Sequence, residues 1–296
     1  MRDARKTAFV LSGGASLGAV QVGMIRALYE REIAPDLILG TSVGAVNGAY
    51  IASRPATAKS AEKLAAVWRD VARRQVFPLN PLIGFFGFFG VRDHLISAHG
   101  LRELVEDQIE FAALEDAPIP FHVIATDLLS GKELRLSHGA ALEAVLASAA
   151  IPGVFPAVEC HGRTLIDGGI SNNTPIVDAI ELGAERIYVL PTGNACDLPD
   201  APRGAVGMLL HAMSLLIMSR LLVEIELLRE RVELIVLPPP CPLSVTPIDF
   251  SHADELIRRG YEDGRDYLDA LEAREAPAPL SMTMHEHRRP PKSGLR

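Results

Sequence analysis

The sequence predicts an α/β protein with a mainly parallel central sheet and helices packed on its faces. Three observations carry that prediction. Short apolar or β-branched runs alternate along the chain with longer segments of helical periodicity. Two of the early short runs end in glycine-rich turns, at Gly13-Gly14 and at Gly40-Thr41-Ser42-Val43-Gly44. With 296 residues, 48% of them hydrophobic, the chain is long enough to bury a substantial core.

The elements follow in order. Thr7–Leu11 is a strand, ended by Ser12-Gly13-Gly14. Val22, Ile25, Leu28 and Tyr29 recur at the spacing of a helix over 18–32. A short strand over 36–39 runs into the Ser42 turn, and small residues build a helix over Val43–Ala52. Strands at 121–126 and Glu133–Leu136 are split by a turn at Ser130-Gly131. A helix over 140–149 stops at Ile151-Pro152-Gly153. Residues 163–166 form a strand leading into Asp167, 175–182 a helix, and Arg186–Leu190 a strand. Residues 204–231 make one long helix or a broken pair. A strand over 232–237 is stopped by Pro238-Pro239-Pro240, which cannot continue a hydrogen-bonded ladder. The last helix spans 253–274. Residues 1–274 read as one domain, and 275–296, dominated by proline, arginine and histidine, as a disordered tail.

A formal net charge of −8 argues against a nucleic-acid partner. Cys160, Cys196 and Cys241 form no CxxC pair and no metal-ligand spacing, a sparse set expected of a reducing compartment. No metal or other cofactor is expected. The first apolar run is too short for a signal-peptide core. The longest one, 205–223, contains His211 and Arg220 and is followed by Glu224. A central charge is costly in hydrocarbon, so this segment reads as an amphipathic core helix, and the protein as soluble and cytoplasmic.

The turn around Ser42 has the G-x-S-x-G form. A serine hydroxyl is a poor nucleophile unless it is exposed at a fixed angle beside a base. A strand that reverses sharply into a helix supplies that exposure, and Gly40 and Gly44 remove steric conflict on either side. Leu37-Ile38-Leu39 before the turn and the small-residue run after it match that context. A tight turn with a serine helix cap is the competing reading. The loop Ser12-Gly13-Gly14-Ala15-Ser16-Leu17-Gly18 shifts the balance, because its backbone N–H groups precede a helix and can face an anion. In ester hydrolysis that anion is the oxygen of the tetrahedral intermediate, and each preorganised donor is worth about 2.7–4 kcal/mol. A phosphate-binding P-loop lacks its lysine here, and no dinucleotide fingerprint can be read. Asp167 ends a strand and is followed by Gly168 and Gly169, which let backbone pack close to the carboxylate.

These motifs, in this order, resemble the bacterial patatin-like phospholipases, serine acyl hydrolases of lipids that use a Ser–Asp dyad. The resemblance runs from about residue 7 to residue 271. It includes Ala147-Ser148-Ala149-Ala150-Ile151-Pro152-Gly153-Val154-Phe155-Pro156, Ala125-Thr126-Asp127-Leu128 with Ser130-Gly131, and Pro247-Ile248-Asp249-Phe250-Ser251. It implies a three-layer fold with helices on both faces of the sheet. It further implies Ser42 as nucleophile, Asp167 as base, and an oxyanion hole from the N–H groups of Gly13, Gly14 and Ala15. Gly40, Gly44, Gly168 and Gly169 play supporting parts. The expected substrate is a phospholipid or lysophospholipid ester, met in transient contact at a membrane surface; nothing fixes an oligomeric state. Two positions depart from the family pattern: Ala15 stands for a third glycine and Leu17 for a basic residue. Ala15 needs a negative φ or is strained. A carboxylate is a weak base for a hydroxyl unless partly desolvated, so esters are expected over amides.

Other candidates weigh less. His211, His252, His285 and His287 follow Asp167, as a Ser–acid–His triad would require. His211 lies in an apolar helix, His252 resembles a cap, and the last two fall in the tail. Phe85-Phe86-Gly87-Phe88-Phe89-Gly90 is a buried cap segment or an acyl-chain entrance. Met208, Leu209, Met213, Leu216, Ile217, Leu221 and Leu222 are expected to face the core or wall an acyl pocket. Arg288, Arg289 and Lys292 belong to a solvated tail. A non-catalytic lipid- or partner-binding protein on the same scaffold is the alternative to an enzyme.

Overall fold

The computed structural model describes residues 5–71, 97–193, 204–241, 243 and 245–273. Its elements are β1 (Thr7–Leu11), α1 (Gly18–Tyr29), β2 (Leu37–Thr41), α2 (Val43–Ala52), α3 (Ala58–Asp70) and α4 (His99–Glu106). Then come β3 (Phe121–Asp127), β4 (Glu133–Leu136), α5 (Ala141–Ser148), β5 (Val158–Cys160), β6 (Arg163–Asp167) and α6 (Ile176–Glu181). The chain continues through β7 (Arg186–Leu190), α7 (Gly204–Leu228), β8 (Glu233–Val236) and α8 (Ala253–Glu272).

Strands β3, β2, β1, β7 and β8 pair in that order, all parallel. Antiparallel pairing adds β4 and β6 to β3, and β5 to β6. The strands of the parallel body read as continuous apolar runs because both sheet faces are covered. Alternation along each strand sorts the side chains. Phe9, Leu11, Ile38, Val123 and Tyr188 share one core with α1, α2, α3, α5 and α8. Ala8, Val10, Leu37, Leu39, Ile187 and Val189 face the other way, onto Ile176 and Ala179 of α6 and Met218, Leu221, Ile225 and Leu228 of α7. The three-layer arrangement is therefore as the sequence implies.

Several expectations need correcting. Helix α3 was not anticipated, although Ala61, Leu64, Ala65 and Trp68 form its buried stripe and Thr57 caps it, its hydroxyl accepting from the Ser60 N–H at 3.2 Å. Helix α4 and strand β5 were also missed. Residues 204–228 form one unbroken helix, the first of the two alternatives expected. It packs through Met218, Leu221, Ile225 and Leu228, which leaves Met208, Leu209 and Leu216 exposed, not in the core. No helix among the described residues is long and apolar enough to cross a membrane. Cys160 is a buried free thiol, whereas Cys241 is disulfide-bonded, against the fully reduced set expected. The Phe85–Gly90 segment, Cys196, His285, His287 and the tail with Arg288, Arg289 and Lys292 lie outside the described residues.

Candidate active site

The site forms at the carboxyl ends of the parallel strands, where loops after β1, β2 and β6 converge. Ser42 is the single residue between β2 and α2, at φ 55°, ψ −125°. A side chain held there is strained and persists only because its surroundings impose it. Gly44 shows why the turn is glycine-bound: a Cβ on it would fall 2.1 Å from the Leu11 carbonyl oxygen, and one on Gly40 would fall 2.5 Å from the Gly44 oxygen. From the end of α5, the Ser148 hydroxyl accepts the Ser42 N–H at 2.8 Å and donates to the Ile124 carbonyl at 2.5 Å.

Strand β3 sets the distance between the two principal residues. Thr41, just before Ser42, pairs with Ile124, and Asp167 pairs with the next residue, Ala125. Gly168 lies between them: a Cβ there would fall 2.2 Å from the Ile124 oxygen and 3.0 Å from Cγ2 of Thr41. The Gly169 N–H donates to Asp167 Oδ1 at 2.7 Å. Asp167 Oδ2 is buried and has no hydrogen-bond partner of good geometry among the described residues. Burial pushes the Asp167 carboxyl up to about 6, against the opposing pull of the Ser42 hydroxyl and the Gly169 N–H.

The glycine loop closes the third side. A Cβ on Gly13 would lie 3.0 Å from Cβ of Ser42 and 2.5 Å from Oδ1 of Asn173. Among the described residues, the N–H groups of Gly13, Gly14 and Ala15 donate no hydrogen bond, while the flanking Ser12 and Ser16 N–H groups bond to Leu190 O and Pro247 O. Ala15 takes φ 51°, so the strained alternative is the one adopted. Leu17 is buried in the core, where a basic side chain would be out of place.

Below Ser42 lies an apolar cavity. Ala15, Val43 and Val46 line it near the serine, and Leu64, Trp68 and Phe250 are among its outer walls. Its apolar lining suits a hydrocarbon chain. A buried relay braces the wall against the loop. Trp68 Nε1 donates to Asn47 Oδ1 at 2.9 Å, Asn47 Nδ2 donates to Gln21 Oε1 at 2.9 Å, and Gln21 Nε2 donates to Ser12 O at 2.8 Å. Met213, Leu216, Ile217 and Leu221 line a separate groove beside Gly169 and Asn173, not this cavity, because α7 lies on the opposite face of the sheet.

Among the described residues no histidine lines the cavity, and His252 faces Asp249 and Glu255, each at 3.5 Å. No group of described His, Cys, Asp or Glu residues is arranged to hold a metal. Sequence reasoning missed Ser148, Asn173, Gln21 and Asn47 as supports of the site. Ser148 lies in a run it had singled out, but nothing local marks the partners of these residues.

The structure shows a serine on a strand–turn–helix elbow of an α/β sheet, beside a buried carboxyl and, among the described residues, with no histidine lining the cavity. The chain belongs to the patatin-like phospholipase family, whose model matches residues 9–180. It is 33% identical over 182 residues, 61% of this chain and 47% of that protein, to an uncharacterized NTE family protein of Mycobacterium tuberculosis. It is 26% identical to a lysophospholipase, nte1, of Aspergillus terreus, over 96% of this chain and 19% of that protein. The chain thus spans about half the length of its mycobacterial relative, or less of the longer one. In fold it is similar to VipD from Legionella pneumophila, at a TM-score of 0.51 and 17% identity, covering 92% of this chain and 67% of that one.

Proposed function

We propose that the protein hydrolyses carboxylic esters of lipids through an acyl-enzyme on Ser42, with Asp167 as the base. The observation that carries this reading is the buried Asp167 carboxyl, raised to about 6, next to a serine on an elbow that opens onto an apolar cavity. A base works best with a pKa near the operating pH, and burial supplies that shift. With Oδ1 engaged by Gly169, Oδ2 is the atom that takes the Ser42 proton. The Ser42 oxygen attacks the ester carbonyl, and the N–H groups of Gly13, Gly14 and Ala15 receive the developing oxyanion. Asp167 returns the proton to the departing alcohol, then takes one from the water that attacks the acyl-enzyme and hands it to the Ser42 oxygen as the acid leaves. The hydrocarbon chain occupies the cavity at Val46, Leu64 and Trp68.

Relatives named as lysophospholipases point to glycerophospholipid monoesters as the substrate class. Residues 1–274 are read as one hydrolase domain. The protein is read as meeting lipid at a membrane surface, and the outward Leu216, Val223 and Leu227 of α7 support that contact.

The test is ester release from lysophospholipid, diacyl phospholipid and short-chain esters by wild type, Ser42→Ala and Asp167→Ala. Activity in wild type, lost in both folded variants, is expected, and the preferred substrate names the reaction. Equal inertness of all three would overturn the enzyme reading and favour a lipid-binding role.

A further inference from the structure

We infer that Thr192 is a positioning residue for the oxyanion hole, acting through the peptide that joins Gly13 to Gly14. The inference rests on the ester-hydrolase reading above. The Thr192 hydroxyl donates to the Gly13 carbonyl at 2.6 Å, and Asn173 Nδ2 approaches the same oxygen at 3.5 Å. The Thr192 backbone is itself fixed, its N–H donating to Ser12 Oγ at 3.2 Å. A trans peptide is planar, with its C=O and N–H pointing in opposite directions. Anchoring the Gly13 oxygen on Thr192 therefore turns the Gly14 N–H to the opposite side of the peptide, where it has no partner among the described residues.

The contact is steric as well as polar. A Cβ built on Gly14 would lie 2.0 Å from Oγ1 of Thr192 and 2.6 Å from its Cβ. The side chain thus packs directly on the Gly14 backbone, and both residues are needed in their present form. Thr192 is buried, at 5% exposure, so water does not readily replace its hydroxyl. A flexible glycine peptide left without this anchor rotates, and its N–H spends less time aimed at the oxyanion. Thr192 touches no reacting atom in this scheme. It acts on the transition state alone, because only there is the negative charge developed.

The experiment compares wild type, Thr192→Ala, Thr192→Val and Thr192→Ser on a p-nitrophenyl ester, and follows phosphonylation of Ser42 by a p-nitrophenyl alkylphosphonate. The hydroxyl-free variants are expected to lose about 10- to 100-fold in kcat with KM changed by less than about threefold. Phosphonylation, which also develops an oxyanion, slows in parallel. Thr192→Ser stays within about threefold of wild type, and the pH midpoint of every active variant is unchanged, since Asp167 is untouched. Should either hydroxyl-free variant fold poorly, the other paired with Thr192→Ser decides the matter. Retention of kcat within twofold in a folded hydroxyl-free variant overturns the inference, as does an equal loss in Thr192→Ser. A wild type inert toward both reagents overturns the ester-hydrolase reading itself, which is a separate outcome.

Discussion

Ser148 holds the backbone of Ser42 from the end of α5: its fully buried hydroxyl accepts the Ser42 N–H at 2.8 Å and donates to the Ile124 carbonyl at 2.5 Å. One side chain thereby ties the elbow to β3. Ser148→Ala leaves the Ser42 N–H without its partner and removes a donor from the Ile124 carbonyl, and an unpaired buried group costs about 1–3 kcal/mol. A fall in unfolding free energy of roughly 2–4 kcal/mol is expected in urea titration, with a loss of ester turnover larger than any change in KM. Unchanged stability would mean that the elbow holds its shape without this link.

The Asp167 carboxyl, raised by burial to about 6, predicts the pH profile. The base must be ionised, so kcat/KM of the free enzyme should rise with pH through a single ionisation near 6 and level off above 7. Stability runs the other way. The native state holds this proton more tightly than the unfolded chain, so the contribution to stability is full below about pH 4. It is lost as pH rises through about 6. Asp167→Asn should therefore abolish activity yet be more stable than wild type at pH 7.5, with the advantage gone at pH 4. Thermal unfolding at the two pH values checks this.

Ala15 sits at φ 51°, where an L-residue costs about 1–2 kcal/mol. Ala15→Gly removes that strain but adds freedom to the unfolded chain worth about 0.4–1 kcal/mol. The net expectation is stabilisation of about 0.5–1 kcal/mol, read as a small rise in midpoint temperature. A drop in stability would show that the Ala15 methyl contributes more by packing than its backbone loses.

Val46 lies one helical turn beyond Ser42 and lines the apolar cavity. Val46→Phe fills part of the space assigned to the acyl chain. Rates on octanoyl esters should fall at least about tenfold relative to acetyl esters, a difference of about 1.4 kcal/mol. Equal effects on both chain lengths would place the acyl group elsewhere.

Much of this architecture was legible beforehand, for physical reasons that can be named. Continuous apolar runs punctuated by glycine mark strands buried on both faces, which is why β1, β2 and β7 were read nearly to the residue. The elbow and the Asp167 turn announce themselves because close backbone approaches admit only glycine at Gly44 and Gly168. The supports of the site were harder to see. Thr192 meets Gly13 from 179 positions away, and Ser148 meets Ser42 from 106. A serine or threonine near the end of a helix or strand carries no local sign of such a partner. Helix α7 was misjudged for a different cause: apolar residues surround it, so periodicity did not identify its packed side. Helix α3 was legible, at Ala61, Leu64, Ala65 and Trp68, and was overlooked.

The pairing of β3 with both β2 and β6 has a consequence for heat inactivation. Ser42 and Asp167 are spaced by adjacent rungs, Ile124 and Ala125, of a strand held between neighbours in the interior of the sheet. Fraying at chain ends or surface loops leaves such a strand intact, since the least stable segments open first and core strands open only with the whole molecule. Turnover and cooperative structure should then disappear at the same temperature, with no cooler interval in which a folded but inactive enzyme accumulates.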